Sequence, residues 1–262
     1  MCNIPLIHTL TSQFIALDCI GGNIANNPLV GAWELVSDSD VGIRIYTGLH
    51  YAVLSMPKNR KRAAGNQATP DEALEALNTC PVLAGTYTLS GSRITLTRLA
   101  NSRPHLSGQT FLIDYTIQGD NMTTTSISGG PLVGSSAIHR RVGGGAASPL
   151  VGAWEMVNDT EQGVLIFTGT HYAVVRMHEE RSLPKGEQYT PEEALTALYT
   201  SGAQAGPYTV SGTTLTLERT AHLRPERVGE NAVLEITLEG DTLETRAASG
   251  VSVSDVTWRR VS

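Results

Sequence analysis

Four residues in the first half of the chain have side chains that could do chemistry together if strand alternation brought them into one pocket. They are His50, Tyr87, Arg98 and Tyr115. A histidine can act as acid or base near neutral pH, a tyrosine hydroxyl can donate a hydrogen bond to a developing oxyanion, and an arginine can hold a carboxylate or enolate. We predict these four as catalytic residues. The alternative for each is an ordinary structural role in local packing and hydrogen bonding.

A second set of residues is predicted to bind a ligand beside these groups. It consists of Trp33, Met56 and Phe111 in the first half, and Trp154, His171, Tyr208 and Arg219 in the second. Aromatic and apolar side chains with a few polar groups are typical of small-molecule pockets. The sequence contains no zinc motif, phosphate loop, dinucleotide fingerprint or nucleophile elbow, so we predict no metal and no cofactor.

An internal duplication relates these two sets. The run Pro-Leu-Val-Gly-Ala-Trp-Glu occurs at 28–34 and again at 149–155, and the register holds without a gap for about a hundred residues. A unit of this length is far longer than a solenoid repeat, so each copy is expected to be a complete domain. The predicted organisation is an N-terminal extension at 1–27, with a short amphipathic helix or a frayed tail, a first domain at 28–142, a Gly-rich linker at 143–148 and a second domain at 149–262.

Each copy shows eight short runs of alternating polarity that are rich in β-branched residues and bounded by turn residues. In the first copy they lie near 31–38, 42–47, 50–56, 84–90, 93–100, 109–118, 121–128 and 135–142. Hairpin-sized connections favour sequential antiparallel pairing, so the predicted fold class is all-β, with two tandem eight-stranded up-and-down barrels. A Thr-Pro-Asp-Glu sequence at 69–72 predicts one helix after the third strand, lying across the barrel.

The repeated motifs resemble those of lipocalin-like (calycin-type) domains. The Gly-x-Trp of the first strand, at 31–33 and 152–154, is similar to the lipocalin motif. In that family the tryptophan closes one end of the barrel and stacks on an arginine from the last strands. The resemblance therefore implies a partner for each tryptophan from the Arg-Arg pairs at 140–141 and 259–260. It implies the fold and an internal pocket, and no specific ligand.

Differences between the copies orient the strands. Ser55 in the first copy corresponds to Arg176 in the second, and a position with this variation is not expected to point into a closed barrel. The alternate face of the third strand, which carries His50 and Met56, is therefore predicted to face inward. Tyr115 is replaced by isoleucine in the second copy, so the first copy is expected to hold the more active or selective site.

Composition and charge exclude several classes of partner. The chain has 262 residues, a net charge of −6 and 40% hydrophobic residues. This charge has the wrong sign for phosphate neutralisation, and no run of about 18 apolar residues is present, so neither nucleic acid nor a membrane is predicted as a partner. Three cysteines without metal-ligand spacing, and no basic residue before Arg44 to begin a signal peptide, favour a cytoplasmic location.

Three functional hypotheses follow. The first is a cofactor-independent enzyme of the isomerase, cyclase or lyase type, which folds a small, mostly apolar metabolite in a barrel pocket and assists proton transfer. The second is a non-catalytic carrier or sensor of a small hydrophobic or amphipathic ligand. The third is a structural or partner-binding module whose barrels are filled by side chains, and the sequence leaves a homodimer open as well.

Overall fold

A computed structural model describes residues 27–65, 67–129, 133–143, 148–186, 188–248 and 255–261. The predicted N-terminal helix and most of the predicted linker lie outside these residues. The two predicted barrel domains are covered by the described ranges, apart from short internal gaps.

The first copy forms a closed antiparallel barrel. Its strands are β1 (Gly31–Leu35), β2 (Asp40–Tyr46), β3 (His50–Pro57), β4 (Val82–Ser90), β5 (Arg93–Asn101), β6 (Thr110–Gln118), β7 (Asn121–Ser128) and β8 (Ser136–Val142). Each strand pairs with the next along the sheet, and β8 pairs with β1 to close it. Residues on one side of these strands form an apolar interior that includes Trp33, Tyr46, Tyr51 and Ile94.

The second copy forms a matching barrel. Its strands are β9 (Gly152–Met156), β10 (Glu161–Phe167), β11 (His171–His178), β12 (Ser201–Ser211), β13 (Thr214–Glu218), β14 (Ala221–His222), β15 (Asn231–Glu239), β16 (Thr242–Ala247) and β17 (Val256–Arg260). Pairing of β11 with β12 and of β17 with β9 closes the ring, and the two-residue β14 pairs only with β12. The prediction of two eight-stranded antiparallel barrels in an all-β chain is confirmed.

Within the described residues two α-helices accompany the barrels, α1 (Pro70–Thr79) and α2 (Pro191–Tyr199). Each begins with a capping box, in which the N-cap threonine and the glutamate three residues later satisfy each other's backbone N–H groups. The two helices pack against each other. Their buried faces, including Leu77 and Leu198, belong to one apolar cluster that contains residues from both copies.

That shared cluster lies between the barrels. It is built from the outer faces of β2 and β3 and of their counterparts β10 and β11, together with the two helices. Ala52, Leu54 and Met56 lie in it, whereas Tyr51 and Val53 lie in the interior of the first barrel. The predicted inward face of the third strand is therefore wrong. Both faces of this strand are buried, and the outer one packs against the other copy.

Among the described residues, no helix is long and apolar enough to cross a membrane.

Candidate functional site

The interior of the second barrel contains a cavity of about 360 Å³. Its inner wall is apolar and is formed by side chains from five strands. They are Leu165 and Phe167 of β10, Val174 of β11, Leu215 and Leu217 of β13, Leu234 of β15, and Val256 and Trp258 of β17. This barrel is therefore not filled by its own side chains.

One end of this cavity is lined by Arg176, Arg219, Arg224 and Arg227, which we call the arginine end. The side chains of Arg176 and Arg227 are 28% and 39% exposed, so this end faces solvent. Trp154 is fully buried in the apolar interior of the same barrel. The cavity thus joins an apolar body to a cationic opening.

The four arginines are only partly neutralised. Arg219 donates from Nε to Gln204 Oε1 at 2.6 Å, and its Nη1 lies 3.5 Å from Glu230 Oε2. Arg227 shares the same glutamate at 3.2 Å. Arg176 lies 3.8 Å from a Glu161 oxygen.

Arg224 forms no ion pair with a carboxylate among the described residues, although Glu226 lies near it. Its guanidinium lies 5.4 Å from the centre of the Tyr199 ring, and its buried Nε makes no hydrogen bond there. Burial is the main cause that lowers the pKa of this guanidinium. A buried donor without an acceptor is costly, so Arg224 is a candidate for contact with an anionic ligand.

His222 stands beside these arginines on β14 and is buried. Burial, and then the neighbouring positive charges of Arg219 and Arg224, hold its pKa well below the usual value. Its Nδ1 accepts a hydrogen bond from the backbone N–H of Arg224 at 2.9 Å. The imidazole is therefore neutral at pH 7 and adds no charge to the arginine end.

A glycine makes room for Arg176. A Cβ built on Gly202 would lie 2.9 Å from Arg176 Nε and 3.0 Å from its Cγ. In the first copy these two positions hold Pro81 and Ser55. Arg176 fits at this end because its partner across the β11–β12 pair, Gly202, has no side chain.

Of the predicted site residues, Arg219 lines this cavity. His50 and His171 lie between the barrels, where His50 Nε2 is 3.9 Å from Glu155 and His171 Nε2 is 3.8 Å from Glu34. Burial lowers the pKa of His50 to about 4, so this contact is not an ion pair at neutral pH. Met56 lies in the same region, in the shared cluster.

The predicted aromatic residues have structural contacts near the barrel ends. Trp33 and Trp154 donate from Nε1 to the carbonyls of Leu29 and Leu150, at 2.8 and 2.9 Å. The Tyr208 hydroxyl donates to the Thr168 carbonyl at 2.8 Å. These three hydrogen bonds hold the side chains of Trp33, Trp154 and Tyr208 in place.

Of the four predicted catalytic residues, Tyr87 and Tyr115 pack in the interior of the first barrel, whereas His50 lies outside it. The Tyr87 hydroxyl bonds to the Thr47 carbonyl and accepts from Asn27 Nδ2. Arg98 donates to the Gly129 carbonyl at 2.8 Å and lies over the Phe111 ring. The half-buried Tyr115 is 3.4 Å from the Gly91 carbonyl, and His50 is on the outer face of β3.

Sequence reasoning missed most of the cavity lining. Arg176 was assigned to the outer face because charge variation was taken as a sign of exposure, yet it points to the open end of the barrel. Arg224 belongs to an Arg-Pro pair that both copies share, at 103–104 and 224–225. That repetition was the signal that could have identified it.

Within the part of the chain that the structure describes, no group of three or more His, Cys, Asp or Glu side chains could hold a metal ion.

Comparisons with known proteins add little to this description. No family model matches the chain, and no curated protein sequence matches it. Among solved structures, an uncharacterized protein from Saccharomyces cerevisiae is 10% identical, with 89% of this chain and 98% of that chain covered and a TM-score of 0.46. A DNA polymerase sliding clamp from Pseudomonas aeruginosa is 9% identical, with 90% and 58% covered and a TM-score of 0.14. At TM-scores below 0.5, these similarities do not establish a shared fold.

Proposed function

We propose that the chain is a binding protein for a small amphipathic anion, which it holds in the second barrel. The observation that carries this proposal is the cavity of about 360 Å³ with an apolar wall and four arginines at its open end. Ligand pockets typically measure about 300–1,000 Å³, so this one suits a small molecule. The apolar part of the ligand would occupy the barrel, and its anionic group would lie at the arginine end.

This proposal takes each copy as a lipocalin-like, up-and-down barrel with its helix after the third strand. It is supported by the Gly-x-Trp motifs and by the tryptophan rings stacked on Arg141 and Arg260. The proposal favours the carrier or sensor hypothesis. The enzyme hypothesis stays a prediction, because no observation in the cavity favours a particular reaction.

The binding test compares decanoate with decanol by isothermal titration calorimetry on the full chain. Both molecules offer the same apolar tail, and only decanoate carries a charge. We expect both to bind, with decanoate tighter. Arg224→Met should weaken decanoate about tenfold, since a charge-assisted hydrogen bond is lost, and leave decanol unchanged.

Arg103→Met is the matched control, because Arg103 occupies the same position in the first copy and should not affect either ligand. If neither decanoate nor decanol binds, the proposal is wrong. Native mass spectrometry of the freshly purified protein, followed by denaturing extraction, would identify a natural ligand. Chemical conversion of that molecule by the protein would favour the enzyme hypothesis instead.

A further inference from the structure

The interior of the first barrel differs chemically from that of the second. Arg44 and His139 occupy the positions that Leu165 and Trp258 hold in the second barrel. Tyr46 stands where the second barrel has a phenylalanine. The first barrel therefore has polar and cationic side chains at positions where the second barrel has an apolar wall.

Arg98 is the clearest case, because its duplicate Arg219 has the partners that it lacks. Arg219 is paired with Gln204 and Glu230. The corresponding positions beside Arg98 hold Leu83 and Gln109. The side-chain amide of Gln109 donates to the His105 carbonyl instead. The carboxylate that neutralises Arg219, that of Glu230, therefore has no counterpart at this position of the first barrel.

The remaining contacts of Arg98 leave much of its guanidinium unsatisfied. Arg98 is 4% exposed and donates from Nη2 to the Gly129 carbonyl, but its Nε and Nη1 have no partner among the described residues. A buried guanidinium offers five donors, and leaving them unpaired costs free energy.

Arg44 is a second cation on the same interior. Its Nε donates to His139 Nε2 at 3.0 Å, while its buried Nη1 has no partner among the described residues. Burial, and then the charge of Arg44, lower the pKa of His139 to about 3, so this histidine is a neutral acceptor. Within the described ranges, neither Arg44 nor Arg98 forms an ion pair with a carboxylate.

Hydroxyl groups complete this polar interior. Tyr46 and Tyr51 are fully buried and Ser126 is 8% exposed, and none of the three hydroxyls has a hydrogen-bond partner among the described residues. Tyr51 lies near both cations, since Arg98 and Arg44 each oppose the rise that burial causes in its pKa. In the second barrel the equivalent Tyr172 hydroxyl is bonded to the Glu218 carbonyl.

We propose that the first barrel has its own ligand, a small oxyanion of the carboxylate or phosphate type, held by the guanidinium groups of Arg44 and Arg98 and by the hydroxyls of Tyr46, Tyr51 and Ser126. Guanidinium groups bind such oxyanions through paired hydrogen bonds. The ligand supplies the negative charge that the second barrel obtains from Glu230. The duplicated barrels then bind two different classes of molecule, and this site is independent of the cavity in the second barrel.

The test follows the side chains of the two arginines directly. Spectra of the ¹⁵N-labelled full chain resolve the Nε–Hε signals of buried arginines, and Arg44→Leu and Arg98→Met assign them. Inorganic phosphate, succinate and chloride are titrated separately at constant ionic strength. We expect saturable shifts of the Arg44 and Arg98 signals with phosphate or succinate, and none with chloride.

The matched control is Arg219→Met, which changes the same position of the second barrel and should leave these shifts intact. An equal response to chloride, or no response to phosphate or succinate, would overturn the proposal. If phosphate binds but succinate does not, the site is specific for phosphate. If succinate binds but phosphate does not, the site is specific for carboxylates.

Thermal stability gives a second, independent readout. The double variant Arg44→Leu and His139→Trp gives the first barrel the leucine and tryptophan that the second barrel has at the same positions. It is therefore expected to fold. In anion-free buffer this variant should be more stable than the natural chain, since a partly buried cation without a carboxylate partner is removed. The preferred anion should raise the melting temperature of the natural chain by about 5 °C at about a hundredfold excess over its dissociation constant, and that of the variant not at all. A less stable variant in anion-free buffer would show that Arg44 is a structural residue.

Discussion

The ring of Trp33 lies against the guanidinium of Arg141, with 4.0 Å between the ring centre and the guanidinium carbon. Trp154 and Arg260 repeat this contact at the same distance. The sequence predicted a partner from each Arg-Arg pair but left open which member it would be. Strand pairing determines which arginine is the partner, because Trp33 stands opposite Arg141 and Trp154 stands opposite Arg260. That choice depends on register, which sequence alone does not determine.

Arg141→Lys should lower the free energy of unfolding by about 1–3 kcal/mol. Arg141 donates to the carbonyls of Val30 and Pro28 at 2.8 and 2.7 Å while stacking on the tryptophan, and lysine cannot make this planar pair of bonds. Urea denaturation measures the change. Arg140→Lys is the control, since Arg140 is exposed, and it should change stability by less than about 0.5 kcal/mol. Equal effects of both substitutions would contradict the role assigned to Arg141.

At the scale of elements, β3 shows why polarity patterns alone misplaced part of the site. A strand of a single barrel has one buried face, so charge variation at Ser55 and Arg176 was taken to mark the outer one. In this chain the outer face of β3 packs against the second copy, and Arg176 lies on the inner face of the equivalent strand β11, at the open end of the second barrel. Element type and barrel formation could be predicted from local alternation. The orientation of β3 could not, because it depends on a contact with residues more than a hundred positions away.

The close approach of β4 and β5 gives the element-scale prediction. Their register shifts between Ala84 and Gly85, and a Cβ on Gly85 would lie 1.9 Å from the Thr97 carbonyl oxygen. The second barrel repeats this feature at Gly206, where the distance to the Glu218 oxygen is 2.1 Å. This contact explains the glycine that begins the sequence Gly-x-Tyr-Thr in both copies, at 85–88 and 206–209.

Gly85→Ala should therefore force the two strands apart and lower the free energy of unfolding by about 2–4 kcal/mol. Gly65→Ala is the control, because the nearest atom to its Cβ would be at 3.7 Å, an ordinary contact distance. Thermal and urea denaturation of both variants would measure the difference. If Gly85→Ala is as stable as Gly65→Ala, the strands can separate without cost and the explanation of the motif is wrong.

At the scale of the whole molecule, the two barrels are joined by reciprocal contacts. Arg60 of the first copy donates to the carbonyls of His222 and Leu223 in the second, both at 2.8 Å. Arg181, the duplicate of Arg60, donates to the carbonyls of Asn101 and Ser102 in the first. The duplication itself could be recognised from the sequence, but the faces through which the two copies meet could not.

These contacts imply that the barrels unfold as one unit. Arg60→Leu leaves the His222 and Leu223 carbonyls buried without their donor, so we expect it to lower the free energy of unfolding by about 2–4 kcal/mol. Calorimetry should still show a single transition at a lower temperature. Hydrogen exchange should become faster around β12 and β14 of the second barrel, although the substitution is in the first.

Lys61→Met is the control for this experiment, because Lys61 is an exposed neighbour and its replacement should alter neither readout. Two calorimetric transitions, of which Arg60→Leu moves only one, would mean that the barrels are independent domains. A single transition means that ligand binding in one barrel also raises the stability of the other. The unfolding of the two barrels would then be coupled through the shared cluster and through Arg60 and Arg181.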